Sequence, residues 1–174
     1  MFYLDLFREL EAKKVRYLLV GGLAVNLHGV PRATMDVDLI ISFERSNLES
    51  LMAVSQALGL KPVAPVDLRD LADPGKRQEW AAHKHMVAFA LQAPGLQGPT
   101  LDILIDPALD VEGAMIRAVR RDVQGVNVSL ISVSDLVHLK EQSGRPQDIA
   151  DIEHLRRLET VVRGMVVPTH NRPP

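Results

Sequence analysis

No cysteine occurs in the 174 residues, which excludes a disulfide scaffold, thiolate ligation of zinc or iron–sulfur clusters, and a cysteine nucleophile. Aromatic residues are scarce at 4%, yet 47% of the chain is hydrophobic and rich in Leu, Val and Ile, a balance that argues against disorder. No excess of one charge exists either. Twenty basic and twenty-two acidic residues leave a net charge of −2, so a global electrostatic signature for wrapping nucleic acid is missing and only a local basic groove remains open. The uncharged stretch Tyr17 to Pro31 contains Gly-Gly, Asn26 and His28 and is too short to span a bilayer. The N-terminal MFYLDLFRELEAKK is charged and amphipathic, unlike a signal peptide. The expectation is a soluble, cytoplasmic protein with no membrane partner. Internal repeats, low-complexity tracts, the Gly-Lys-Ser/Thr of a phosphate loop, Gly-x-Gly-x-x-Gly and a serine nucleophile elbow are all lacking.

What is present suits one domain, or one domain with a small helical appendage; such a chain buries ~70% of its unfolded surface. Leu4, Phe7, Leu10 and Leu6 recur at helical spacing over residues 3–14. Val15–Val20 reads as a buried strand stopped by Gly21-Gly22, followed by a short helix over 23–29 that ends before Pro31. Asp36–Ile41 reads as a second strand, and Asn47 as the cap of a helix running to Leu58. Residues 63–84 look like an irregular insertion with short helical pieces. His85–Gln92 and Thr100–Ile105 are strand-like on either side of a Pro- and Gly-rich loop, before a helix at 111–118 and a strand at Val126–Ser132. Ser134-Asp135 opens a helix to Gln142, and Pro146 starts a last one to Glu159. The pattern is α+β, or α/β-like. It divides into a sheet domain over 1–132, a helical pair over 133–160 and an extended tail over 161–174.

The most informative stretch is Val20-Gly21-Gly22, thirteen residues, then Asp36-Val37-Asp38. Two carboxylates at i and i+2 on a strand share a face. Their apolar neighbours make unpaired burial costly, and a hard divalent cation relieves that cost. Gly21 and Gly22, lacking Cβ atoms at a strand-to-helix turn, let backbone N–H groups approach a triphosphate. Asp102, in the middle of the apolar Thr100–Ile105, is a third acid in need of a partner. Three carboxylates around two metal ions are the arrangement of in-line phosphoryl and nucleotidyl transfer. The bland alternatives are an Asp-rich strand edge beside a tight turn, and a strand-end role for Asp102.

Here a resemblance becomes specific. Val20-Gly21-Gly22, Asp36-Val37-Asp38 and Asp102 resemble the signature of the nucleotidyltransferase fold of the DNA polymerase β superfamily. More narrowly, Gly21–Val25, His28-Gly29, Arg32–Asp38, Leu139-Lys140 and Gly144–Ile152 resemble the abortive-infection, AbiEii-type nucleotidyltransferase toxins. The likeness covers residues 15–157, with 63–84 outside it. It implies a nucleotidyltransferase fold, a small mixed β-sheet flanked by helices with a C-terminal helical segment. It also implies that Gly21 and Gly22 hold nucleotide phosphates, and that Asp36, Asp38 and Asp102 bind Mg²⁺ or Mn²⁺ and carry catalysis. Lys140 would lie near the triphosphate, with Arg32, Arg145 and Asp148 at the same cleft. An NTP, such as ATP, would donate its NMP to an acceptor hydroxyl on an RNA 3′ end (a tRNA) or a protein, and an antitoxin would be a partner.

The alternatives are a non-catalytic, antitoxin-like binding member of the same fold and a metal-dependent phosphohydrolase, which has no need of the Gly-Gly turn. For Lys140, Arg145 and Asp148 the bland reading is a solvated helix pair with surface ion pairs; for Arg32 it is loop solvation. His83-Lys84-His85 offers a metal pair or strand-entry residues. Arg117, Arg120 and Arg121 with Lys140 offer either an acceptor-binding surface or a helix C-terminus matched to its dipole.

Overall fold

The computed structural model describes residues 2–95 and 98–165. Seven strands among them form one mixed sheet in the order β3-β4-β5-β2-β1-β7-β6. In its interior lies β1 (Tyr17–Val20), all four residues buried, because an unbroken apolar run suits a strand covered on both faces. It runs antiparallel to β2 (Val37–Ile41) and parallel to β7 (Val126–Leu130). Beyond β2 lie β5 (Thr100–Leu104), parallel to it, and then β4 (Ala88–Gln92), antiparallel to β5. Both alternate buried and half-buried residues. The short β3 (Lys61–Pro62) forms one edge and β6 (Val119–Val123) the other.

Helix α1 (Phe2–Ala12) buries Leu6, Phe7 and Leu10, and Phe7 stacks on Tyr17 at 6.2 Å between ring centroids. Helix α2 (Gly21–Leu27) begins on the two glycines themselves and packs against β1 and β2. Helix α3 (Arg45–Leu58) ends at Gly59, which is left-handed at φ +65°. A 3₁₀ helix (Leu68–Ala72) and α4 (Pro74–His83) fill the expected irregular segment. That segment belongs to the core: Leu68, Leu71 and Trp80 are buried, and Trp80 lies 6.2 Å from Phe89 of β4. After α5 (Val111–Ile116) and the β6–β7 hairpin, α6 (Val133–Ser143) and α7 (Pro146–Met165) form a packed pair. The left-handed Gly144 and the Pro146 start make the break between them, as their sequence suggests.

Several boundaries differ from the sequence reading. Asn47 is not a cap: it is buried inside α3, and its amide bonds the Arg16 N–H, the Arg16 carbonyl and the Ser42 carbonyl. A long-range pairing with the start of β1 outbids local capping. Ser132, rather than Ser134, caps α6, accepting from the Asp135 N–H at 3.2 Å. Strand β6 was hidden behind its charge, since Val-Arg-Arg-Asp-Val is exposed at four of five positions and is held only by pairing with β7. The last helix runs to Met165, past Glu159, so the first residues of the expected tail 161–174 are helical; the rest of that tail lies outside the described residues. Among the described residues no helix is long and apolar enough to cross a membrane.

Candidate active site

One cavity of about 600 Å³ is lined by Gly21, Gly22, Arg32, Asp36, Asp38, Asp102, Lys140, Arg145 and Asp148. Every site residue singled out from the sequence therefore reaches the same space. The floor is set by strand register: Asp38 stands opposite Val20 on one side and Asp102 on the other. The end of β1, where the chain turns into α2, thus lies beside both acids. Gly21 adopts φ +65°, and a Cβ there would collide with the Asp38 carboxylate. A Cβ on Gly22 would stand 2.9 Å from Thr34 Oγ1 and 3.3 Å from Arg32 Cζ. The two glycines are thus demanded by their neighbours as well as by the turn.

The three acids differ in environment. Asp36 Oδ1 accepts from the Thr100 N–H at 3.0 Å. Burial, reinforced by the charges of Asp102 and Asp36, pushes Asp38 up to about 6, against weaker relief from Arg145 and the Gly22 N–H. Burial also raises Asp102, with the Asp36 charge adding to it and a hydrogen bond from Thr100 opposing. Asp102 Oδ1 is buried with no hydrogen-bond partner. Like charges crowded in low dielectric leave this part of the cavity short of positive charge.

Opposite the acids, Lys140 and Asp148 belong to a buried ionic network rather than a solvated helix pair, while the Arg145 side chain stays exposed. Lys140 on α6 and Asp148 on α7 are 5% and 1% exposed. Lys140 Nζ donates to Asp148 Oδ1 at 2.9 Å and to Asp151 Oδ2 at 2.7 Å, while Arg145 Nε donates to Asp148 Oδ2 at 2.8 Å. Burial alone would raise the Asp148 carboxyl, but hydrogen bonds from Arg145, Lys140 and Ser143 outweigh it and hold it at about 2. Arg32 is not a solvated loop residue either; its guanidinium pairs with Asp151. The remaining wall is mixed: Val87, Leu104, Leu136 and Leu139 are apolar, while Thr34, Asp106, Gln142 and Ser143 are polar.

Two sequence-based candidates fall away. His83 ends α4, Lys84 caps it, and His85 is left-handed at φ +50°, so the two histidines do not share a strand face. Arg117 follows α5 and grips Asp135 with two bonds of 3.0 and 2.9 Å, whereas Arg120 and Arg121 sit on β6. They form no common surface with the buried Lys140. Conversely, sequence reasoning assigned no role to Thr34, which lines the cavity, or to Asp151. The signal for Asp151 was its place three residues after Asp148, on the same helix face.

Residues 5–166 match the family described as Nucleotidyl transferase AbiEii toxin, Type IV TA system. The chain belongs to this family. The match is wider than residues 15–157 and includes the 63–84 segment that the sequence reading placed outside the likeness. Membership in the AbiEii family makes the chain a nucleotidyltransferase, an enzyme of NMP transfer. Solved structures show the same fold. ANT(2″)-Ia in complex with adenylyl-2″-tobramycin is 15% identical, with 95% of this chain and 97% of that one covered at a TM-score of 0.55. An antigenic nucleotidyltransferase-like protein from Paracoccidioides brasiliensis is 21% identical over 92% and 84% of the two chains, at 0.56. The lincomycin-bound lincosamide adenylyltransferase LnuA is 18% identical over 90% and 94%, at 0.55. No curated protein matches the chain significantly.

Proposed function

We propose that this AbiEii-family chain transfers NMP from an NTP to a hydroxyl on an RNA 3′ end or a protein, with Mg²⁺ or Mn²⁺ bound, as the toxin of a toxin–antitoxin pair. The observation that carries the reading is the meeting of the Gly21-Gly22 turn with Asp38 and Asp102 in one cavity. Among the described residues no group of three or more His, Cys, Asp or Glu side chains is already disposed to hold an ion. The donors nevertheless fit a hard cation: all are carboxylate oxygens, one of them is buried without a partner, and Mg²⁺ is ordinarily completed by substrate phosphates. Asp36, Asp38 and Asp102 would hold it, and it would neutralise charge on the phosphates and on the attacking oxygen.

The chain's own groups supply the rest. Gly21 and Gly22 at the start of α2 would let phosphates approach the backbone, and Arg32, Lys140 and Arg145 bring positive charge to the same cavity. The acceptor oxygen forms a bond to the α-phosphorus as the bond to pyrophosphate breaks, and Asp102, which lines the cavity, would take the hydroxyl proton. Positioning and charge neutralisation carry such a reaction without a covalent intermediate.

The test incubates the protein with each α-labelled NTP, Mg²⁺, and total cellular RNA or protein. Label appearing in a macromolecule from one NTP, and lost in EDTA, is the expected result. Calorimetry should show NTP binding that needs Mg²⁺ or Mn²⁺. Equal binding in EDTA with no transfer would favour the non-catalytic alternative, and release of phosphate alone would favour a phosphohydrolase.

A further inference from the structure

Arg32 is held at both ends. Its backbone N–H donates to Asn26 Oδ1 at 2.6 Å, and its carbonyl accepts from Asn26 Nδ2 at 2.7 Å. Its guanidinium lies over Gly22, where a Cβ would come within 3.3 Å of Cζ, and pairs with Asp151 Oδ2. The same carboxylate oxygen accepts from Lys140 Nζ at 2.7 Å. Asp151 is itself 2% exposed. Arg32 and Lys140 line the cavity, whereas Asp151 does not.

We propose that Asp151 is a positioning residue, one buried carboxylate that aims two cations from different elements, Arg32 and Lys140, at the polyphosphate end of the cavity. Long cationic side chains have many rotamers, and fixing them before the ligand arrives removes that ordering cost from binding. Three cations, Arg32, Lys140 and Arg145, share only two carboxylates, Asp148 and Asp151, so the network keeps a surplus positive charge. That surplus suits a polyanion. The clamp also joins the loop between α2 and β2 to α7, so anion binding and docking of the helical pair support one another.

The kinetic part of the test rests on the transfer reading above; the spectroscopic part does not. Asp151→Asn should raise KM for the NTP by about tenfold or more, the size of one lost charged hydrogen bond, with kcat changed less. Arg32→Gln should do the same. The double variant should be no worse than the poorer single one, because both disrupt one unit. Unchanged KM in folded Asp151→Asn, or effects that multiply in the double variant, would overturn the clamp. Asp151→Glu keeps the charge while displacing the oxygens, and serves if Asn does not fold; its KM should lie between wild type and Arg32→Gln, and a wild-type KM would overturn the proposal. Independently of activity, the side-chain N–H resonance of Arg32, assigned by its loss in Arg32→Gln, should shift in both Asp151 variants. An unmoved resonance would overturn the clamp even in an active enzyme. Absence of transfer from every NTP, with the resonance shifting, would sink the functional reading and leave the clamp standing.

Discussion

Asp38 and Asp102 are direct register partners on the parallel neighbours β2 and β5. Side chains at paired positions point to the same face of a sheet, so the ladder holds two carboxylates together wherever the rest of the chain goes. The arrangement works against stability in the absence of a cation, and it dictates how the free protein should respond to substitution.

Asp38→Asn should stabilise the metal-free protein at pH 7.5 while abolishing transfer. The folded carboxyl sits at about 6 against an ordinary 3.8, so the native state binds more protons over that interval and stability falls as pH rises through it. The gain should approach about 3 kcal/mol well above pH 6 and vanish near pH 4. Thermal melts in EDTA across this range check both the size and the sign.

Gly21→Ala should cost activity and stability together. The residue is left-handed, and its new methyl would press on the Asp38 carboxylate. Strain of roughly 1–3 kcal/mol is expected, together with displacement of Asp38. Denaturant unfolding beside a transfer assay tests this; a wild-type midpoint would mean that the turn relaxes freely.

Lys140→Ala should destabilise the fold as well as weaken NTP use, because Asp148 and Asp151 would be left buried around a missing cation. About 3–5 kcal/mol is the usual scale for breaking such a pair. Arg16→Ala is the contrast. Its guanidinium pairs with the exposed Glu44 and Glu112 at the surface, contacts that typically contribute ~0–1 kcal/mol. Comparable small shifts in both variants would show that the buried network carries little stability.

Asp148 gives the opposite pH signature from Asp38. Its carboxyl is held at about 2, below the ordinary 3.8, so its stabilising contribution is complete above pH 4 and is lost as pH falls towards 2. Asp148→Asn should therefore lower the melting temperature at pH 7, and the gap from wild type should narrow on acidification to pH 2.5. A gap independent of pH would assign the loss to packing instead of charge.

Much of the site was legible because its chemistry is local in sequence. Gly21-Gly22 stands out as a break after an apolar run, and Asp36-Val37-Asp38 and Asp102 stand out as acids where a buried strand expects none. The edge strand β6 was not legible, since Val-Arg-Arg-Asp-Val carries no apolar face and is a strand only because Val126–Leu130 pairs with it. Asn47 was misread for a related reason. Its residue type favours a helix cap, yet the unmet backbone groups of Arg16 and Ser42 claim its amide from across the fold.

By itself the sequence determined the buried strand β1, the glycine turn, the acids and the broken helical pair, because each follows from residue type at short spacing. Only the tertiary structure decided what those parts do to one another. Register set Asp38 beside Asp102, and docking of α7 brought Asp151 to Arg32 across more than half the chain. Burial then turned what resembled surface charges at Lys140 and Asp148 into a desolvated network. Charge interactions depend on distance and on the surrounding dielectric, and both are properties of the folded chain rather than of any segment of it.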